Sequence, residues 1–322
     1  MSFDDFLYNF PADKCQSIYG ASMSVSALAD WVEFASLRGY KKPLNSLIDA
    51  AIDSGFPNEI EESMVENGRP ASSENTYALI DQHLSSRIEY LGDAYPFYRD
   101  NFNQLVLRDD IEKQNNPYLV LLLVSLLQGW KRTQTQPRVT GIFEILVAGA
   151  FDKLDFTSAV IGTGENGGFA SHLKAASQKL GIPLSTLNGT YSVKAKDEGV
   201  DVLSGRLWHD DRRGEQLILI QAACGKEDST PSWEDKLNKV ANRRDQWRQM
   251  LTEITMPIAA LAVPYHMTDD SINRTLGRSA GEKFFVDRLR LTHALGTTIP
   301  SDLMKEVNKI WKMGDCFLKI AK

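Results

Sequence analysis

The chain has 322 residues, 43% of them hydrophobic and 24% charged; that is the make-up of a folded globular protein with room for one large domain or two ordinary ones, and it excludes a wholly disordered chain. The net charge of −6 is uneven: residues 1–100 hold 16 acids against 7 bases and the remainder 26 against 29, so any polyanion would meet the second part. Cys15, Cys224 and Cys316 form no CxxC pair and no disulfide framework, which fits a reducing cytoplasm; the acidic N-terminus does not read as a secretion signal, and the most apolar run, Tyr118–Leu127, is far short of the roughly 20 residues of a membrane span.

The first 130 or so residues read as helical. Apolar residues recur at helical spacing in Val25–Leu37 and Tyr77–Leu91, and Leu44–Ile52 and Pro117–Trp130 predict two more helices. Gly55–Pro57, Gly68–Pro70 and Asn115–Pro117 punctuate them. Strand-like alternation is not evident here. Residues 1–135 are therefore expected to be a helical N-terminal domain.

After Trp130 the polar stretch KRTQTQPRVT predicts a linker, and the pattern changes. A helix over Gly141–Leu154 precedes a short apolar run, Thr157–Ile161, a glycine-rich loop and a helix over Phe169–Leu180. Strands are predicted over Val200–Leu207 and Leu217–Cys224, a basic helix from Trp233 to about Glu253, and a buried strand over Ile258–Val263. Helices return over Phe284–Leu295 and Leu303–Ile320. Strands mixed with helices around one sheet make an α/β core.

The chemistry concentrates on the first two of these strands. WHDDRRGEQ between them suits a turn. A hairpin folded about Asp211 or Arg212 places Asp201 and Gln221 nearly opposite each other, on one face of a paired antiparallel ladder. Both lie among apolar neighbours, where an acid and an amide need partners, and a hard cation is one such partner. Glu144 is the only charged residue in GIFEILVAGAF, Gly141–Phe151. A carboxylate on a helix apolar nearly all round needs a donor, a cation or a metal, unless it lies at the helix start and answers the dipole there.

Glu144 on a helix, KDEGVDVL (Lys196–Leu203), LILIQAACG (Leu217–Gly225) and the trailing Trp233-x-x-Lys236 together resemble the PD-(D/E)XK nucleases, in the branch that carries QxK. The resemblance covers roughly a third of the chain. It implies a restriction-endonuclease-like core, a mixed sheet flanked by helices, over residues 136–322 with a helical C-terminal extension. It implies a metal-dependent DNA endonuclease of bacterial restriction or anti-phage defence, with Glu144, Asp201 and Gln221 placing Mg2+ or Mn2+. DNA and the partner proteins of a defence system are the implied partners, and an oligomer is compatible with the sequence. One position departs from the pattern: the lysine expected two residues after Gln221 is Ala223. Lys236 is the first replacement, because a helix after the second strand packs beside the site. Lys194, seven residues before Asp201, is the next, and Lys226 is also near. If none serves, the chain is a non-catalytic nuclease-fold protein that binds DNA or a partner.

Other features point elsewhere or nowhere. Gly162–Gly167 spell GxGxxG between a strand and a helix, the context of a dinucleotide loop, but Gly181–Tyr191 offers no acid for a ribose. The five histidines show no pair at metal-ligand spacing. The basic segment Lys236–Arg248, with Arg288 and Arg290, could follow phosphates or be a solvated face. Trp233 and Trp247 are expected to pack against the sheet.

Overall fold

The computed structural model describes residues 2–12, 24–54, 56, 73–130, 139–161, 168–185, 199–208, 210, 214–225, 231–251, 254–277 and 283–319. The helices among them are α1 (Phe3–Asn9), α2 (Ser24–Leu37), α3 (Leu44–Asp53), α4 (Ser73–Leu91), α5 (Pro117–Trp130), α6 (Val139–Asp152), α7 (Phe169–Leu180), α8 (Trp233–Ala241), α9 (Arg244–Met250), α10 (Asp269–Leu276), α11 (Arg288–Leu295) and α12 (Met304–Lys319). The strands are β1 (Phe97–Arg99), β2 (Leu105–Leu107), β3 (Thr157–Val160), β4 (Val202–Arg206), β5 (Gln216–Ala222), β6 (Ile258–Ala262) and β7 (Lys283–Val286).

Strands β3 to β7 form one mixed sheet in chain order. The first three run antiparallel, with Ala159 facing Leu203 and Leu203 facing Leu219. Strand β6 lies parallel to β5 after the crossover through α8 and α9, and β7 lies parallel to β6 after α10. The two faces are covered differently. Phe284 meets Phe151 of α6 with ring centroids 6.3 Å apart, whereas its neighbour Phe285 points the other way, to Trp233 of α8 at 6.0 Å. Gly205, in register with the Phe285 face, has Leu180 of α7 above it: a Cβ there would come within 3.4 Å of that leucine. So α6 covers one face and α7 with α8 the other, the α/β arrangement expected of strands alternating with helices.

Three differences from the sequence reading have local causes. Phe284–Val286 is strand, not the start of a helix: its two phenylalanines and valine suit a pleated surface, and the helix begins only after Asp287, whose side chain accepts the Arg290 amide at 3.0 Å as an N-cap. The predicted basic helix breaks in two at Asn242–Arg243, where the Arg244 Nε donates to the Ala241 carbonyl at 3.0 Å. The N-terminal part contains a small hairpin, β1–β2, with Phe97 facing Leu107; strands of three residues are too short to show a period of two.

The N-terminal helices do not stand apart from the sheet region. Arg288 of α11 bonds Asp30 of α2 at 2.9 Å, and the two side chains are fully buried. Arg87 of α4 meets both Asp30 and Glu33 at 2.7 Å. The Tyr118 hydroxyl donates to Glu33 at 2.8 Å and accepts from Arg87 at 3.0 Å. Asp30 and Glu33 are three residues apart on α2, hence on one helix face, and the apolar remainder of that helix is buried around them. Burial works against the arginine charges, but Glu33, Tyr118 and Asp30 outweigh it at Arg87, as Asp30, Tyr118 and Glu33 do at Arg288, so both remain cations.

Candidate functional site

Strand β4 begins where the ladder becomes irregular. Val202 is the cross-strand partner of Ile220, yet the Asp201 amide also donates to the Ile220 carbonyl, at 2.8 Å. Two residues of one strand thus face one of the other, as in a β-bulge. Asp201 therefore stops one residue short of direct pairing with Gln221. Its carboxylate takes over from the backbone: Oδ2 accepts the Ala222 amide at 2.7 Å, while the Asp201 carbonyl accepts Ile161 at 2.7 Å. The side chain is buried. A carboxylate that substitutes for a ladder carbonyl is fixed in place by the sheet itself.

Gln221, the residue before Ala222, has its side-chain oxygen buried, with no hydrogen-bond partner among the described residues. An orphaned amide oxygen costs about 1–3 kcal/mol. Beyond it Ala223 is buried, and its amide donates to Ala262 at 2.8 Å. The side chain at position 223 supplies no donor.

Glu144 and Lys236 reach this region from opposite faces of the sheet. Glu144 is the sixth residue of α6 and partly buried. That is past the first turn, where the dipole acts most strongly. Lys236 lies one turn into α8, whose start is set by a capping box: Ser232 Oγ accepts the Asp235 amide at 3.1 Å, and Asp235 accepts the Ser232 amide at 3.0 Å. Trp233 anchors that turn, fully buried, with its indole N–H on the Gly225 carbonyl at 2.8 Å and its ring against Tyr265. Trp247 is buried too, against Phe169.

The charges of Glu144, Asp201 and Lys236 are felt at a common neighbour, Cys224. Burial pushes the Cys224 thiol well above its ordinary pKa; the charges of Glu144 and Asp201 push it the same way, and Lys236 opposes them. Burial also lowers Lys236, against the pull of Cys224 and Asp201. Glu144, Asp201 and Lys236 all act on one thiol at the end of β5. Two carboxylates and an amide oxygen are the donors a hard divalent cation selects. Among the described residues no group of three or more His, Cys, Asp or Glu side chains gathers as for a metal, and the expected trio is divided: Gln221, in register with Leu261 and Phe285, faces α8, whereas Glu144 comes from the α6 side.

Lys239, part of the basic segment Lys236–Arg248 but not among the expected site residues, also approaches. It follows Lys236 by three residues on the same helix face, the spacing that could have found it. Gly199 runs beneath it with φ +80°, and a Cβ at that glycine would stand 3.0 Å from the Lys239 side chain. Lys194, Lys226 and the Gly162–Gly167 motif lie outside the described residues. His83 and His266, far apart in sequence, stack with ring centroids 4.0 Å apart. Their nitrogens are engaged by Ser26 at 3.0 Å and by Arg87 at 3.0 Å, and both rings are buried beside the Asp30–Arg288 cluster.

The chain matches no protein-family model, no curated protein and no solved structure. Among the described residues no helix is long and apolar enough to cross a membrane.

Proposed function

We propose that this chain is a metal-dependent DNA endonuclease with a restriction-endonuclease-like core, acting in the cytoplasm in bacterial restriction or anti-phage defence. The observation that carries this reading is the pairing of a fixed, buried carboxylate, Asp201, with the orphaned side-chain oxygen of Gln221 one residue from its hydrogen-bond partner. Glu144 supplies the second carboxylate. Mg2+ or Mn2+ held at Asp201, with Gln221 from the α8 side of the sheet or Glu144 from the α6 side, would polarise a phosphate oxygen and acidify a bound water. Asp201 and Glu144 orient what they bind because the bulge and the apolar helix hold them. Lys236, its pKa lowered by burial, takes the place left by Ala223 and neutralises charge developing on phosphate. Lys239 is a second cation on the same face. The basic residues of α8 and α9 face the DNA, and the N-terminal helices serve recognition or contact with partner proteins.

Ala223 favours a second reading, a non-catalytic nuclease-fold protein that binds DNA or a partner. Plasmid cleavage by the purified chain with Mg2+ or Mn2+ separates the two. The endonuclease reading expects metal-dependent cutting that Asp201→Ala and Lys236→Ala abolish. Absence of cutting with either metal, with Mn2+ and DNA binding retained, would favour the binding protein.

A further inference from the structure

A second concavity lies apart from the Asp201 region. The C-terminal end of α6, strand β7 and α11 surround a cavity of about 270 Å³ with a predominantly apolar lining, to which Phe151, Leu154, Phe284 and Ala294 contribute. The polar groups sit together on one side. Arg290 and His293 are exposed and project from α11, and the Tyr90 ring lies 5.8 Å from that of His293. Arg290 donates one Nη1 bond to the Phe285 carbonyl, which fixes the guanidinium at the rim. None of the described residues lining the cavity is acidic; the nearby Asp287 is buried and bonded to the amides of Met267 and Arg290.

An apolar chamber with a cation and a ring N–H at its mouth selects a ligand with a hydrocarbon body and an anionic head. A cationic head would meet Arg290 as a like charge. At an interior packing density of about 0.74, the cavity accommodates roughly 200 Å³ of ligand, a saturated acid of about ten carbons. We propose that this cavity binds a small amphipathic carboxylic acid, with its tail between Phe151 and Phe284 and its carboxylate at Arg290 and His293.

Titration calorimetry of the full chain with sodium decanoate, kept below its micelle concentration, tests this, with decylammonium chloride as the charge control. The expected result is one saturable site for decanoate and binding at least about tenfold weaker for decylammonium. Ala294→Trp, which fills the chamber, should weaken decanoate at least about tenfold, and Arg290→Gln should remove the preference for the anion. Leu154→Trp closes the same mouth from a half-exposed position and decides the matter if Ala294→Trp does not fold. The proposal is overturned if decanoate shows no saturable binding, if both heads bind alike, or if folded Trp variants bind as the unaltered chain does.

Discussion

Two buried polar regions of this chain solve the same problem in opposite ways. Around Asp30, Glu33, Arg87 and Arg288 every charge faces an opposite charge, and tyrosine hydroxyls take up the spare acceptors. Around Asp201 the carboxylate is fixed by a backbone amide, while the neighbouring Gln221 oxygen has no partner among the described residues. The first region is closed in its acceptors, and a buried atom that it leaves without a partner among the described residues is a donor, Arg87 Nη2. The second keeps acceptor capacity in reserve, which raises the cost of folding and is what a site for an electrophile requires. The difference separates a cluster that holds helices together from one that leaves an acceptor open, and the proposed metal site rests on that acceptor.

The largest expected effect tests the closed region. Arg288→Ala leaves the buried carboxylates of Asp30 and Glu33 to share the single arginine Arg87 and should cost about 3–5 kcal/mol in urea unfolding, the range for losing one partner of a buried charge cluster. A loss below about 1 kcal/mol would mean that the cluster is already relaxed by water, and the contrast between the regions would fail. Asp201→Asn tests the open region: its amide oxygen still accepts from Ala222, so stability should move by less than about 1 kcal/mol. Metal-dependent cleavage should fall at least about 100-fold, equivalent to about 2.7 kcal/mol of barrier. If Asp201→Asn instead unfolds the protein and leaves the specific activity of the folded fraction intact, Asp201 is a structural residue only.

Acid should act through the closed region. Burial, reinforced by the arginine charges, holds His83 and His266 well below the ordinary value of 6.5. The unfolded chain therefore takes up protons below pH 6.5 that the folded chain refuses. Their contribution is fully present above that pH and declines as pH falls toward the folded-state values, by about 1.4 kcal/mol per histidine per pH unit. Urea midpoints between pH 7.5 and 5.5 should show this slope, and His83→Gln should reduce it; an unchanged slope in that variant assigns the acid sensitivity to other groups. The smallest effect sharpens the metal reading. Gln221→Glu adds a formal charge to the ligand set, and the Mn2+ concentration that half-stabilises the protein in a thermal scan should drop about tenfold. No shift would place Gln221 outside any metal shell.

The sheet was largely legible, because β3, β5 and β6 are short apolar runs bounded by turn residues, and the hairpin register follows from WHDDRRGEQ. Strand β7 was not, since Phe284–Val286 runs straight into an amphipathic helix and the single signal that divides them is the N-cap Asp287. The candidate site was legible as residue types, not as geometry: a period of two cannot announce the bulge that turns Asp201 toward Ala222. The Asp30–Arg288 cluster went unread for a different reason. Its acids stand in an apolar helix, SVSALADWVEFASL, where they could have raised suspicion, but their partners are 57 and 258 residues away, and pattern within one helix says nothing about such distances.

Strand β7 ends the sheet in the order of strands, so one side of KFFV has no neighbouring strand among the described residues. Two phenylalanines and a valine on an edge form a short template onto which another chain could add. The carbonyl of Phe285 is occupied by the Arg290 guanidinium, and Lys283 at the start of the strand is held by Asn238 at 2.7 Å. An incoming strand would have to displace a bonded cation at one position and pass beside a second. The apolar margin of the sheet thus lacks a free acceptor where Arg290 binds the Phe285 carbonyl, and the arginine that the cavity proposal sets at a ligand's head also obstructs pairing at a strand edge.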